Sequence, residues 1–291
     1  MDTGNLRYQY ASLSIAEKII AINVVIFLLT TITTYLFRLP ADVVSQYFEL
    51  PKDFFAFLKQ PWSIVTYSFF HGGLGHIFWN MLTLFYMGRI FLNLFNPQRF
   101  INVYFMGVIL GGIFFMLSYN IFPALMGTNS VLIGASAGVT AILIFVCTYI
   151  PNQEVRLAFF NLKLMYIGLF WVGVNLVQIP MGVNVGGLMA HLGGALLGYL
   201  YAKQLQKGRD IGDGFSSFWQ GIINLFKKRE KKSPLKTVYK NKTTAKEDPT
   251  YKKEVHQRKI DEILDKISKA GYESLSKAEK DYLFKAGKEN N

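Results

Sequence analysis

The chain has 291 residues, of which 51% are hydrophobic, 15% aromatic and only 17% charged. That balance excludes an ordinary soluble domain and points to a polytopic membrane protein. The net charge of +12 does not argue for nucleic acid, because 22 basic and 13 acidic residues lie from Lys203 onward; a basic tail beside an apolar core is explained by anionic lipid and the positive-inside bias, about 1 kcal/mol per basic residue near the surface.

Nothing at the N-terminus reads as a cleavable signal, since the first apolar run is too long and lacks a small-residue cleavage pattern. Runs long enough to cross a bilayer fall at 19–37, 74–94, 101–118, 134–150, 162–179 and 185–202. Six membrane helices are predicted. Arg89 and Lys163 sit near span ends, where their stems carry the charge out to the headgroups. The connection 38–73 is long and mixes charge with aromatics such as Phe54, Phe55 and Trp62, the composition of a segment folded onto the membrane surface. Lys and Arg flank the first span and the second and fourth connections, whereas 121–133 and 180–186 contain none. Both termini are therefore predicted to be cytoplasmic. Cys147, the single cysteine, has no internal disulfide partner and reads as a small buried hydrophobe.

Beyond the sixth span, Phe215, Phe218, Trp219, Ile222 and Phe226 recur at helical intervals ahead of Lys227, Lys228, Arg229, Lys231 and Lys232. This predicts an interfacial anchor on the cytoplasmic leaflet. Residues 233–259 are polar and basic without apolar periodicity and read as a flexible linker. Ile260, Ile263, Leu264 and Ile267 then form a stripe, Gly271 is a stop, and Ser276 with Glu279 makes a capping-box pattern. The resulting helical hairpin buries little alone, so a cytoplasmic partner is expected. The division is thus 1–205 membrane domain, 206–232 basic juxtamembrane segment, 233–259 linker and 260–291 hairpin.

Three polar elements interrupt the apolar spans. Ser136 lies in Gly134-Ala135-Ser136-Ala137-Gly138, His191 in Ala190-His191-Leu192-Gly193-Gly194, and His76 and Asn80 stand four residues apart on the second helix. With both termini inside, the second, fourth and sixth helices enter from the outer face, so the three elements share one depth about 5 to 10 Å below it. A serine becomes a nucleophile when a neutral imidazole takes its proton; Ser136 and His191 fit those roles. His76 and Asn80 share a helix face and both donate hydrogen bonds, which suits an oxyanion hole. Small residues on the sixth helix, Gly194 and Gly198, let it approach the Ser136 helix closely. Asp and Glu are missing from all six spans, so a Ser-His dyad is implied rather than a triad. His71, just before the second helix, suits a structural or interfacial role. Taken singly, a serine at a membrane helix start favours helix packing and a lone histidine could relay protons in a six-helix transporter; a non-catalytic helix-binding scaffold is the other alternative. The shared depth of all three elements favours hydrolysis.

At these residues the chain resembles the rhomboid family of intramembrane serine proteases. Gly134-Ala135-Ser136 resembles its Gly-x-Ser nucleophile motif, His76 to Asn80 its histidine and asparagine oxyanion motif, and Ala190-His191 with Gly194 and Gly198 its base-bearing final helix. The resemblance runs from about residue 15 to residue 202. It implies an all-α, six-transmembrane-helix bundle with a small cytoplasmic helical tail, in a bacterial inner (plasma) membrane, that opens laterally to admit transmembrane protein substrates from the lipid bilayer. It also implies the Ser136 backbone N–H as a further oxyanion donor, and neither cofactor nor metal. This chain departs from some members in three places: Ala137 follows the serine where a glycine stands, Thr140 occupies the position of an aromatic that packs on the histidine, and Trp62-Ser63 replaces a Trp-Arg pair. The C-terminal hairpin resembles an appendage on some bacterial members.

Overall fold

The computed structural model describes residues 3–157, 160–226 and 249–289 and divides into two units, Met1–Lys228 and Arg229–Asn291. In the first unit a short helix, Thr3–Ser12, precedes α1 (Ile15–Leu36). Ser14 caps α1 through a reciprocal box in which Glu17 N–H donates to Ser14 Oγ at 3.3 Å and Ser14 N–H donates to Glu17 Oε2 at 2.7 Å. There follow α2 (Leu74–Leu94), α3 (Pro97–Ile121), α4 (Ser136–Tyr149), α5 (Leu164–Gln178), α6 (Val185–Gln206) and α7 (Gly212–Phe226). The chain is an all-α multi-pass membrane protein.

Among the described residues five helices are long and apolar enough to cross a membrane: α1, α2, α3, α5 with its short 3-10 extension to Met181, and α6. The fourth predicted span differs. Its helix has 14 residues, about 21 Å of rise against the roughly 30 Å of a hydrocarbon core. Gly134, with φ +121°, bounds it on one side: that backbone is outside the helical region, so α4 starts at Ser136 rather than at the expected residue 134.

α4 is the centre of the bundle. Every side chain from Ser136 to Cys147 is buried, and α4 packs most extensively against α6 and α3, which also pack on each other. Small residues make this close approach workable. A methyl group on Gly194 or Gly198 would enter the carbonyl oxygens of Ala137 and Ala141, and one on Gly193 would come within 2.8 Å of the Leu110 oxygen. By contrast α1 buries only Ala16, Ile19 and Asn23 and exposes Val25, Leu28, Leu29 and Ile32. An apolar face of that size suits lipid rather than water.

The first connection does not lie loose. It holds short helical turns and a strand, β1 (Leu50–Pro51), paired antiparallel with β2 (Val131–Leu132), which leads into α4. Lys52 Nζ donates to the Met126 and Thr128 carbonyls, and Asn120 Nδ2 donates to the Lys52 carbonyl at 2.9 Å. A second hairpin, β3 (Glu154–Leu157) with β4 (Phe160–Lys163), joins α4 to α5.

Below the bundle, α7 is fastened at its start. Arg99 Nε donates to Asp210 Oδ2 at 2.8 Å, the Tyr201 hydroxyl donates to Asp210 Oδ1 at 2.5 Å, and Asn102 Nδ2 donates to the Gly212 carbonyl at 3.1 Å and to Ser216 Oγ at 2.8 Å. Phe218 and Trp219 stay exposed. The basic run from Lys227 lies outside the described residues.

In the second unit α8 (Pro249–Ala270) and α9 (Lys277–Glu289) form a hairpin around Gly271, at φ +81°. Ile263, Leu275 and Ala286 are its buried core, and Ser276 caps α9 through Glu279. The expected linker of 233–259 is too long: the helix begins at Pro249, ten residues before that segment ends. Proline suits a first helical turn because its missing N–H has no partner there, and the charged turns that follow carry too few apolar residues to show a period. The rest of the expected linker, 233–248, lies outside the described residues.

Candidate active site

Three helices bring four predicted residues to one cavity. His76 is the third residue of α2, Asn80 stands one turn further on, Ser136 opens α4, and His191 is the seventh residue of α6. All four line a cavity of about 420 Å³, together with Trp171 and Asn184. A second cavity of about 290 Å³ continues past His76 and Ser136 along Val131, Leu132 and Ile133.

Ser136 owes its position to the chain just before it. Gly134 N–H donates to the Tyr67 carbonyl at 3.0 Å, and Ala135 N–H reaches His71 Nε2 at 3.4 Å. Burial, and then the neighbouring His76, push the His71 pKa down to about 3. His71 therefore stays neutral and keeps the lone pair that Ala135 needs. The His71 and His76 rings meet edge to face at 5.0 Å. His76 in turn lies against Gly134, where a side-chain methyl would fall 2.7 Å from Cε1 and Nε2 of the ring. Only glycine allows both this φ and this approach.

As the first residue of its helix, Ser136 keeps its backbone N–H outside the intrahelical ladder, so it is available to an anion in the cavity. Asn80 Nδ2 donates one hydrogen to the His76 carbonyl at 2.8 Å, and the amide retains a second. Among the described residues no hydrogen bond joins Ser136 Oγ to His191; the two share the cavity without closing that contact, and such bonds commonly tighten only around substrate.

The structure also supplies a neighbour for His191 that sequence reasoning missed. Asn175, on α5, is buried and has Oδ1 2.7 Å from His191 Nδ1. Trp171, one turn earlier, packs beside the imidazole with ring centroids 5.9 Å apart, and its indole N–H donates to Thr140 Oγ1 at 3.3 Å. The ring that flanks the histidine thus comes from α5, and Thr140 anchors it from α4. The available signal was Asn175 itself, an amide well inside a largely apolar span, since polar groups at membrane depth usually have a specific partner.

Residues 58–207, just over half the chain and including all four cavity residues, match the family model of the Rhomboid domain. Residues 249–286 match a Family of unknown function (DUF6576). The chain is 29% identical over 159 residues to the RHOMBOID-like protein 12, mitochondrial, of Arabidopsis thaliana, a match covering 50% of this chain and 47% of that protein. It is 26% identical over 163 residues to the Rhomboid-like protein 16, chloroplastic, of the same plant, covering 50% of each. Against the Presenilin-associated rhomboid-like protein A, mitochondrial, of Danio rerio, identity is 28% over 166 residues, covering 54% of this chain and 38% of that one. The chain spans about half the length, or less, of these curated relatives.

Proposed function

Because this chain belongs to the rhomboid family, we propose that it is an intramembrane serine endopeptidase, cleaving transmembrane substrates near the outer membrane face with Ser136 as nucleophile and His191 as base. The observation that carries this reading is the single cavity to which α2, α4 and α6 each contribute a polar group.

In the proposed reaction Ser136 Oγ attacks a peptide carbonyl while His191 takes its proton. The tetrahedral oxyanion receives hydrogen bonds from His76, the free hydrogen of the Asn80 amide and the Ser136 N–H; one such donor typically contributes about 2.7–4 kcal/mol to the transition state. Collapse breaks the peptide bond, and His191 returns its proton to the leaving amine. Water, deprotonated by His191, then hydrolyses the acyl-enzyme and restores the serine.

Purified protein in detergent is expected to cleave a single-span model substrate and to react covalently with a fluorophosphonate at Ser136. Ser136→Ala and His191→Ala should abolish cleavage. Full activity in either variant defeats the mechanism, and an unlabelled Ser136 in folded protein would point to a scaffold or a transporter.

A further inference from the structure

The amide of Asn175 can adopt one orientation only. Its Nδ2 donates to the Trp171 carbonyl at 2.7 Å, one turn back in α5, and its Oδ1 faces His191 Nδ1 at 2.7 Å. The flipped amide would set Oδ1 against the Trp171 carbonyl oxygen, acceptor against acceptor. Asn175 is only 4% exposed, so water offers little relief for that mismatch. Oδ1 carries no hydrogen, hence the hydrogen of the contact belongs to His191 Nδ1.

From this geometry we propose that Asn175 is the positioning residue for His191, holding the neutral imidazole as its Nδ1–H tautomer so that Nε2 keeps the lone pair a general base needs. The inference deepens the protease reading and rests on it for its catalytic meaning. An imidazole with its proton on Nε2 could not accept the hydrogen of Ser136 through that nitrogen. Asn175 removes this inactive form by giving Nδ1–H an acceptor, and Trp171 walls the ring from the side. A carboxylate in the same place would supply the acceptor together with a charge in the membrane interior, where charge is costly. The amide supplies the acceptor alone.

The test uses full-length protein with ¹⁵N-labelled histidine in detergent, the His191 signals being identified by their loss in His191→Gln. Wild-type protein should show a protonated Nδ1 and a bare Nε2. Asn175→Leu, close in volume but without an acceptor, should shift the ring toward the other tautomer and lower kcat about 10²-fold, at the low end of what a positioned base contributes, with KM within threefold. Asn175→Asp, as the neutral acid that an apolar site favours, can donate its O–H to the Trp171 carbonyl in place of Nδ2 while its other oxygen faces Nδ1. It should retain the tautomer and recover at least tenfold of the lost rate, and it also serves as the folded comparison if Asn175→Leu is unstable. A wild-type Nε2–H tautomer overturns the proposal, as does an Asn175→Leu variant cleaving at the wild-type rate. The two levels separate cleanly, because the tautomer is read without catalysis. Loss of the Nδ1–H form in Asn175→Leu of a protein that cleaves nothing would sustain the positioning role and remove the protease reading, whereas intact cleavage by Asn175→Leu would do the reverse.

Discussion

Gly134→Ala strikes the joint between the nucleophile and the proposed oxyanion donors. The alanine methyl would lie 2.7 Å from two atoms of the His76 ring, so His76 has to retreat by about 0.7 Å to reach ordinary contact at 3.4 Å. The backbone at φ +121° adds strain of about 1–3 kcal/mol for any L side chain, and the crowding adds about 1–3 kcal/mol more. A combined loss of about 2–6 kcal/mol in stability is expected. A donor displaced by most of an ångström should also slow cleavage by up to about 10²-fold. Gly173→Ala is the matched control: nothing lies within 4 Å of its added methyl, and in a helix interior the change should stabilise by up to about 1 kcal/mol. The assay pairs unfolding midpoints in denaturing detergent with cleavage rates of a model substrate. A Gly134→Ala protein with the wild-type midpoint and rate would refute the claim that the His76 ring and the Gly134 backbone are locked together.

Asp210 should make stability depend on acid. Burial alone would raise its pKa, but the Tyr201 hydroxyl, the Arg99 guanidinium and the Gly212 N–H outweigh burial and hold it below the usual carboxylate value of 3.8. A carboxyl lowered in the folded state stabilises above its unfolded pKa, so this contribution is present at neutral pH and lost as pH falls below about 4; midpoints measured from pH 7 to 3 should converge for wild-type and Asp210→Asn. Equal separation at every pH would disprove the role of the charge. With Cys147 removed, a cysteine at Thr128 should react with an impermeant thiol reagent from outside and one at Asn152 should not; reversed labelling would put the proposed site at the cytoplasmic face. Deleting residues 233–291 should leave cleavage of a detergent-solubilised substrate within about twofold, since the six helices satisfy their own backbone hydrogen bonds. A folded but inactive truncation would make the tail part of the catalytic unit.

The four cavity residues were legible in the sequence because polar groups are few in apolar spans and because motif spacing survives any detail of packing. Helix boundaries were less so. Ser136 begins α4 because of one backbone angle at Gly134, and a hydropathy run cannot register an angle. Nor could Asn175 be paired with His191 in advance, since which side chains of α5 and α6 meet depends on the rotation of each helix about its axis. Trp171 illustrates the same limit: Thr140 leaves the expected aromatic position empty, and the ring beside His191 arrives from another helix. The pairing of Leu50 with Leu132 joins segments some eighty residues apart through two-residue strands, too short for any alternation to show.

The proposed hydrolysis inside lipid raises a supply problem, because the co-substrate is the molecule that the surrounding phase excludes. The shortness of α4 bears directly on it. With about 21 Å of helix against a layer of about 30 Å, α4 falls short of a full crossing, and the chain just ahead of Ser136 is a two-residue strand and a loop rather than a further helical turn. The neighbouring cavity of about 290 Å³ has room for about ten molecules at the roughly 30 Å³ each occupies in the liquid. It is bordered by Gly72 and Gly73, which offer backbone without side chains, and by His76 and Ser136. For the proposed hydrolysis, a helix that begins only at Ser136 leaves a partly polar cavity beside that serine, where water can be held without breaching the lipid-facing helices.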